Sequence, residues 1–327
     1  MNTSGKIVRF YNPGAPDVLK VEDLTLSPPK AGEVQVEHKA IGLNFIEVYW
    51  RTGVYPQALP CCPGTEGAGV VKAVGEGVTE FKPGDRVAYG SGPVGSYATV
   101  RNMPAHPLIK IPDGISFDTA AAMMLKGFTA QYLLRRVYRV QAGETILFHA
   151  AAGGVGTIAC QWAKALGVRV IGTVSTEEKA ALALANGCAE VIITSKENVV
   201  ERVKALTDGK GVPVVYDSVG KTTFVDSLNC LKPRGMMVSF GNASGKVDPV
   251  PLQWLAERGS LVLTRPTVAS FTVDKAEMLE SAAEMFDVVQ SGQVKIHINQ
   301  RYALADVVQA HTELENRRTT GCTVLIP

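Results

Sequence analysis

The sequence predicts an α/β protein that combines a β-rich domain with a doubly wound parallel sheet. Six short apolar segments alternate with stretches of helical periodicity, as in parallel strands joined by crossover helices; they lie at 145–149, 168–173, 190–193, 213–217, 235–239 and 260–264. Before residue 143, short alternating segments are separated by Gly and Pro, which is typical of a small barrel or sandwich.

The segments outside the parallel sheet are predicted from the same periodicities. Strands are expected at 6–10, 33–40, 67–77 and 86–89, with a turn at 82–85. A helix is expected from residue 117 or 118 to about 137, with Ser116 as its N-cap. The remaining expected elements are a helix at 274–291, a strand at 294–298, a helix at 304–316 and a strand at 322–326. The chain is therefore expected to return to its first domain after the parallel sheet.

A glycine-rich turn joins the first parallel strand to a helix predicted at 157–166. Gly153 and Gly156 occupy the last two glycine positions of a G-x-G-x-x-G pattern, and Ala151 occupies the first. Backbone N–H groups at a helix N-terminus carry partial positive charge, and glycines let a pyrophosphate approach them closely. Glycine turns also join strands to helices in ordinary α/β proteins, but the surrounding strand–turn–helix–strand order favours dinucleotide binding.

The end of the second parallel strand indicates which dinucleotide binds. An acidic residue there would hold the ribose 2′-hydroxyl of NAD, but residues 173–176 contain none. Ser175 and Lys179 instead suit a 2′-phosphate, which favours NADPH. The alternative is that Lys179 is only a solvated helix residue, because Glu177 and Glu178 would oppose a phosphate that they faced.

Composition excludes several partner classes. The 327 residues include 33 Lys and Arg and 31 Asp and Glu, so a net charge of +2 predicts neither a nucleic-acid nor a membrane partner. The sequence has no apolar run of the ~18 residues that span a bilayer and no signal peptide, so a cytoplasmic location is the default expectation. The six cysteines show no C-x-x-C or zinc-site spacing, which favours reduced, buried thiols.

Several motifs are spread over nearly the whole chain. They are N-F-I-E-V-Y at 44–49, G-V-Y-P at 53–56, G-T-E-G-A-G at 64–69, L-K-G at 125–127, A-A-A-G-G-V-G at 150–156, Y-D-S-V-G at 216–220, S-F-G-N at 239–242 and T-R-P at 264–266. This set resembles the zinc-independent quinone oxidoreductases of the medium-chain dehydrogenase/reductase superfamily, the group that includes zeta-crystallin. The bacterial NADPH:quinone reductases are the most similar subgroup.

The resemblance implies a fold and an assembly. It predicts a GroES-like catalytic domain of residues 1–126 and 266–327, and a Rossmann domain of residues 127–265 with a six-stranded parallel sheet. It also implies a homodimer in which the strands near 260–264 pair across a two-fold axis.

The resemblance further explains which metal ligands are missing. Zinc alcohol dehydrogenases of this superfamily have a Cys ligand near the position of Asn44 and a His in a G-H-E motif, which here reads Gly64-Thr65-Glu66. We therefore expect no metal site. A quinone or an activated alkene is already electron-poor and needs no Lewis acid to accept a hydride.

By matched position, the resemblance assigns contacts with NADPH. The pyrophosphate is expected at Gly153, Gly154 and Val155, and the 2′-phosphate at Ser175 and Lys179. The complete set of expected cofactor contacts is Phe45, Tyr132, Gly153, Gly154, Val155, Gly156, Ser175, Lys179, Ser218, Phe240, Gly241, Asn242, Thr264, Arg265, Pro266 and Arg317. For Arg317, a solvated position at a helix end is nearly as strong an interpretation.

The substrate cleft is expected to be lined by Asn44, Tyr49 and Tyr55. Asn44 and Tyr55 can donate hydrogen bonds to a carbonyl oxygen that gains charge, and Tyr55 can also supply a proton. The alternative is that both tyrosines are only amphipathic wall residues. Glu66 is expected to be structural rather than a base, and no Ser/His/Asp arrangement stands out in the sequence.

These observations leave three functional hypotheses. The leading one is NADPH-dependent reduction of quinones by hydride transfer from nicotinamide C4, without zinc. The second is reduction of activated C=C bonds in enals, enones or enoyl thioesters. The third is a non-enzymatic NADPH- or RNA-binding protein, although the balanced charge argues against RNA.

Overall fold

The computed structural model describes residues 2–327, which divide into two compact units. The first unit comprises the chain up to Phe128, together with Thr272–Phe286 and Ile296–Pro327. The second comprises Thr129–Phe271 and Asp287–Lys295. The domain limits expected from the sequence, 1–126 with 266–327 and 127–265, stay a prediction.

Helices and strands follow each other along the chain in three stretches. The first contains β1 (Thr3–Arg9), β2 (Lys20–Leu26), β3 (Glu33–Leu43), α1 (Phe45–Arg51), β4 (Gly67–Val74), β5 (Arg86–Tyr89), β6 (Val100–Pro104), β7 (Ile109–Lys110) and α2 (Phe117–Tyr132). The second contains β8 (Thr145–Phe148), α3 (Gly154–Ala165), β9 (Arg169–Val174), α4 (Glu177–Ala185), β10 (Cys188–Ile193), α5 (Val199–Leu206), β11 (Val212–Asp217), α6 (Phe224–Asn229), β12 (Leu231–Ser239), α7 (Gln253–Glu257) and β13 (Val262–Thr264). The third contains α8 (Lys275–Gln290), β14 (Ile298–Ala303), α9 (Val307–Glu315) and β15 (Cys322–Ile326).

The first unit is organised around a seven-stranded sheet. Its order is β14-β15-β3-β4-β5-β7, and β6 pairs with β3; β1 and β2 form a separate antiparallel pair. Within the large sheet only β14 and β15 run parallel to each other. The longest strand, β3, buries Val34, Val36 and Ile41 completely, so it lies at the centre of the apolar core.

The second unit contains the predicted parallel sheet, in the order β10-β9-β8-β11-β12-β13. Every pair is parallel, and apolar residues such as Leu147, Ile171 and Val215 are completely buried. The winding direction reverses between β8 and β11, and α/β sheets bind ligands at the carboxyl ends of strands beside such a switch point. This sheet confirms the predicted fold class.

One predicted helix differs from the structure at its C-terminal end, and some elements were not expected from the sequence. The helix expected at 117–137 is α-helical only to Tyr132 and continues as a π-helical turn over Leu133–Val137. Ser116 caps it as predicted, since the N–H of Thr119 donates to Ser116 Oγ at 3.1 Å. Strands β2, β6 and β7 and helix α1 were not expected, although Asn44 and Glu47 have the N-cap and N3 spacing of a helix start.

The strand predicted at 294–298 is wrong, because the extended segment begins only at Ile298. The N–H of Lys295 donates to Gln161 Oε1 at 2.9 Å, and its carbonyl oxygen accepts from Gln161 Nε2 at 3.0 Å. A side chain thus satisfies the backbone groups that a neighbouring strand would need.

Across residues 2–327, none of the helices is both long enough and apolar enough to cross a bilayer.

Candidate functional site

The glycine turn of the second unit presents the N-terminus of α3. Strand β8 ends at Phe148, Gly153 is the extended N-cap, and α3 begins at Gly154, three residues before the predicted start. The first turn therefore contains Gly154, Val155 and Gly156. Their N–H groups have no acceptor within the helix and carry its partial positive charge.

The backbone of this turn is folded so closely that residue 156 has no room for a side chain and residue 153 has little. A Cβ at Gly156 would lie 2.5 Å from the carbonyl oxygen of Ala150, and one at Gly153 would lie 3.2 Å from the same atom. Ala150 itself has a left-handed φ of 54°. The result is a cradle of backbone N–H groups that fits the pyrophosphate of a dinucleotide.

The two residues predicted to hold the 2′-phosphate lie just beyond β9: Ser175 follows the strand, and Lys179 is in the first turn of α4. Ser175 is exposed, and the next residue, Thr176, caps α4 by accepting the N–H of Lys179 at 3.3 Å. Glu177, which would oppose a phosphate, is an exposed residue paired with Lys196 at 2.6 Å. The serine hydroxyl, the lysine and the start of α4 together suit a 2′-phosphate.

The later candidate residues follow the neighbouring strand ends. Ser218 follows β11, and Phe240 follows β12; the carbonyl oxygen of Ser218 accepts the N–H of Ala243 at 3.2 Å. A Cβ at Gly241 would lie 2.4 Å from that same oxygen, so the two loops touch. These loops form a rim at the carboxyl ends of the strands, which also includes Asn242, Thr264, Arg265 and Pro266.

Arg265 and Tyr132 have contacts within the second unit. The Nη1 of Arg265 donates to the carbonyl oxygen of Ser239 at 2.9 Å. Tyr132 is 3% exposed and stacks on Phe271, with ring centroids 4.5 Å apart. Burial raises the pKa of its phenol to about 12. The predicted contacts of both residues with the cofactor stay predictions.

The predicted substrate residues lie in the first unit, around α1. The rings of Phe45 and Tyr49 are 5.3 Å apart, and those of Tyr49 and Tyr55 are 5.0 Å apart, both edge to face. Both tyrosines are half-buried. Arg317, also in this unit, is exposed just beyond α9 and has a left-handed φ of 58°. The structure thus groups Phe45, Tyr49 and Tyr55, and the predicted contact of Arg317 with the cofactor stays a prediction.

Asn44 is held by a buried ion pair. Its Nδ2 donates to Glu66 Oε2 at 2.8 Å, and Lys126 Nζ contacts the same oxygen at 3.0 Å. The other oxygen, Oε1, accepts the N–H of Leu125 at 2.8 Å. Burial alone would lower the pKa of Lys126, but the neighbouring Glu66 outweighs it, so that pKa is raised. The sequence did not predict that Lys126 pairs with Glu66. The three hydrogen bonds that Glu66 accepts agree with the structural role expected for it.

Glu47 is a second buried carboxyl group, and it has few partners. Oε2 accepts the backbone N–H of Asn44 at 2.5 Å, whereas Oε1 has no hydrogen-bond partner. Burial raises the pKa of Glu47 to about 8, against the opposing effect of Lys126. The side chain is therefore mostly protonated at neutral pH.

The structure also contains an arrangement that the sequence analysis did not find. Ser227 is hydrogen-bonded both to His149 and to Asp217, and His149 and Ser227 are 78 positions apart in the sequence. No local pattern links residues so distant in sequence. Among residues 2–327, no group of three or more His, Cys, Asp or Glu side chains is arranged to hold a metal ion.

Both units match known protein families. Residues 30–113 match the alcohol dehydrogenase GroES-like domain, and residues 154–288 match the zinc-binding dehydrogenase family. A quinone oxidoreductase of Pseudomonas aeruginosa is 55% identical, over 98% of this chain and 99% of that protein. A 2-haloacrylate reductase of a Burkholderia species is 42% identical, over 97% of this chain and 98% of that protein.

Solved structures give the same result. The crystal structure of Escherichia coli quinone oxidoreductase complexed with NADPH has a TM-score of 0.97 and 48% sequence identity to this chain. The match covers 98% of this chain and 100% of the E. coli chain. The similarity thus extends over both units.

Substitution of Glu47 is expected to change how stability depends on pH. Between the usual value of 4.5 and about 8, the folded chain keeps a proton that the unfolded chain releases, so this residue lowers stability as pH rises. Relative to the parent, Glu47→Gln should gain on the order of 3 kcal/mol in free energy of unfolding between pH 5 and 8. Urea unfolding at both pH values measures this. The exposed Glu76→Gln is the control, and parallel pH slopes for parent and Glu47→Gln would contradict the expectation.

Proposed function

The chain belongs to the quinone oxidoreductase family of the medium-chain dehydrogenase/reductase superfamily, and we propose that it reduces quinones with NADPH. The observation that carries the proposal is the strand-end rim of the second unit. There the glycine cradle at α3 suits a pyrophosphate, and Ser175 and Lys179 suit a 2′-phosphate. The relative crystallised with NADPH supports the choice of cofactor.

When bound, NADPH supplies a hydride from nicotinamide C4. A quinone that accepts it gains negative charge on an oxygen atom, and a hydrogen-bond donor stabilises that charge. We propose Tyr55 as this donor and as the source of the proton. Tyr49 and Phe45 offer aromatic surface for a flat ring. Asn44 has one amide N–H besides the one donated to Glu66, and we propose that it orients the substrate.

We infer that the reaction needs no zinc. An amide at Asn44 and a hydroxyl at Thr65 are not the Cys, His or carboxylate ligands that zinc prefers. The amide of Asn44 is also bonded to Glu66. An electron-poor acceptor needs positioning more than Lewis-acid activation.

A second candidate activity is reduction of an activated C=C bond. The similarity to a 2-haloacrylate reductase favours it, because that protein's name describes an alkene substrate. The same hydride donor would then reduce a carbon rather than an oxygen. Comparing kcat/KM for a small quinone and for 2-chloroacrylate separates the two activities, and the larger value identifies the substrate class.

We also propose a homodimer and a cytoplasmic location. Strand β13 is the last strand of its sheet, with Val262 and Leu263 exposed, so its outer edge is open for pairing. Six cysteines without disulfides suit a reducing compartment. We propose no nucleic-acid partner, since the net charge is only +2.

Cofactor preference is expected to depend on Lys179. NADPH oxidation with a small quinone, followed by absorbance, should show a KM for NADPH at least about tenfold below that for NADH. Lys179→Ala should raise the KM for NADPH about tenfold, with little effect on NADH, because only NADPH carries the 2′-phosphate. Lys164→Ala, an exposed lysine near the end of α3, is the matched control. A preference for NADH would contradict the cofactor assignment, and no oxidation with quinone or alkene would contradict the function.

Loss of the Tyr55 hydroxyl is expected to slow the chemical step. Tyr55→Phe keeps the ring that contacts Tyr49 and removes only the donor. We expect kcat with a quinone to fall about 100-fold, while the KM for NADPH changes little. Tyr11→Phe removes a hydroxyl from an exposed tyrosine of the same unit and is the control. Unchanged kcat for Tyr55→Phe would leave Tyr55 as a wall residue only.

The dimer proposal predicts the particle mass. Size-exclusion chromatography with light scattering should give about twice the chain mass of 34.8 kDa. Val262→Lys places a charge at the exposed edge and should shift the mass toward that of one chain. A parent protein that elutes as a monomer at all concentrations would exclude the proposed assembly.

A further inference from the structure

A chain of hydrogen bonds crosses the second unit directly beneath the glycine turn. His149, which follows β8, contacts Thr173 Oγ1 through Nδ1 at 2.9 Å and Ser227 Oγ through Nε2 at 3.0 Å. Ser227 Oγ donates to Asp217 Oδ2 at 2.8 Å. The imidazole is 1% exposed and Ser227 is completely buried. The His149 side chain therefore links the end of β8 to β9 through Thr173, and to the end of β11 through Ser227 of α6.

The direction of each bond follows from its partners. Because the Ser227 hydroxyl donates to the Asp217 carboxylate, its oxygen accepts from His149, whose Nε2 must carry the proton. Nδ1 then accepts from the Thr173 hydroxyl. Burial lowers the pKa of His149, against the attraction of Asp217 and Asp226, which agrees with a neutral ring. This order differs from a catalytic triad, since the serine donates to the aspartate rather than to the histidine.

At the Asp217 end, this series of hydrogen bonds fixes the loop after β11. Asp217 Oδ1 accepts the N–H groups of Val219 at 2.7 Å and Gly220 at 3.0 Å. Oδ2 accepts the hydroxyl of Thr223 at 2.7 Å in addition to that of Ser227. Four donors compensate the buried carboxylate, so this loop is a fixed support for His149.

At the His149 end, this series of hydrogen bonds is next to a strained residue, Ala150. Ala150 is exposed and has a φ of 54°, a conformation that an alanine adopts only when its surroundings hold it there. On its other side, the N–H of Ala151 donates to the carbonyl oxygen of Thr173 at 3.0 Å. The carbonyl oxygen of Ala150 accepts the N–H of Gly153 at 2.9 Å and lies against Gly156. The orientation of this one peptide therefore decides where the first turn of α3 lies.

We propose that His149 is a positioning residue of the dinucleotide site, which holds Ala150 in its left-handed conformation and thereby places the N–H groups of α3 for the pyrophosphate. The inference rests on the proposed binding of NADPH by the second unit. It concerns binding rather than chemistry, because the His149 side chain is only 1% exposed and both of its ring nitrogens are bonded, to Thr173 and Ser227.

The test compares binding and turnover. His149→Leu removes both hydrogen bonds of the imidazole. With a smaller change in volume, Thr173→Val removes the bond to Nδ1, and Ser227→Ala removes the bond to Nε2 together with the one to Asp217. For His149→Leu we expect the NADPH dissociation constant, measured by NADPH fluorescence titration, and the KM for NADPH both to rise about tenfold. The kcat at saturating NADPH should fall less than about twofold. The two milder variants should give intermediate increases.

A rescue variant and a matched control separate positioning from general destabilisation. Ala150→Gly removes the strain at an exposed position, so the double variant His149→Leu/Ala150→Gly should bind NADPH within about twofold of the parent. His38 is the control, because it is also buried and bonded through both ring nitrogens, to Ala98 and Tyr89, in the first unit. His38→Leu should lower the thermal midpoint and leave the NADPH dissociation constant unchanged.

Two results would overturn the inference. One is an NADPH dissociation constant for His149→Leu, Thr173→Val and Ser227→Ala no higher than for His38→Leu. The other is a rise that Ala150→Gly fails to reverse. A parent protein that binds no NADPH would instead reject the proposed function on which the inference rests.

Discussion

The carbonyl oxygen of Ala150 and the first turn of α3 are so close that a Cβ at residue 156 would lie 2.5 Å from that oxygen. This close approach allows β8 to end, the chain to reverse and the helix to begin within a few residues. It places Gly154, Val155 and Gly156 in the first turn of α3, where their N–H groups have no acceptor within the helix. The phosphate cradle, the start of α3 and the left-handed Ala150 all follow from that packing.

Three buried carboxyl groups show how the protein treats charge in its interior. Asp217 accepts four hydrogen bonds, and Glu66 is bonded to Asn44, Lys126 and the backbone of Leu125. Glu47 has one backbone donor and an oxygen without a partner, and its pKa is raised to about 8. Glu47, the carboxyl group with the fewest donors, is the one that burial leaves mostly protonated at neutral pH.

These groups differ in what they hold in place. Glu66 orients Asn44, at the start of the helix that carries Phe45 and Tyr49. Asp217 fixes the loop after β11, at the rim where Ser218 and Gly241 touch. Asn44 and the loop that contains Ser218 are thus each held in place by a buried carboxyl group. Rigid support of this kind keeps binding groups oriented without cost at the moment of binding.

The sequence by itself determined the parallel sheet, because apolar segments of strand length alternating with helical periodicity allow few other arrangements. It also indicated the glycine turn, the hydroxyl and lysine at the end of β9 and the absence of zinc-ligand residues at Asn44 and Thr65, since each is a matter of residue type at one position. Only the tertiary structure decided that Lys126 pairs with Glu66 and that His149 joins Asp217 through Ser227. It also decided that Gln161 satisfies the backbone where a strand was expected. The partners in these contacts are 10 to 134 positions apart, and a local pattern carries no information about which distant side chain will be brought to a buried polar atom.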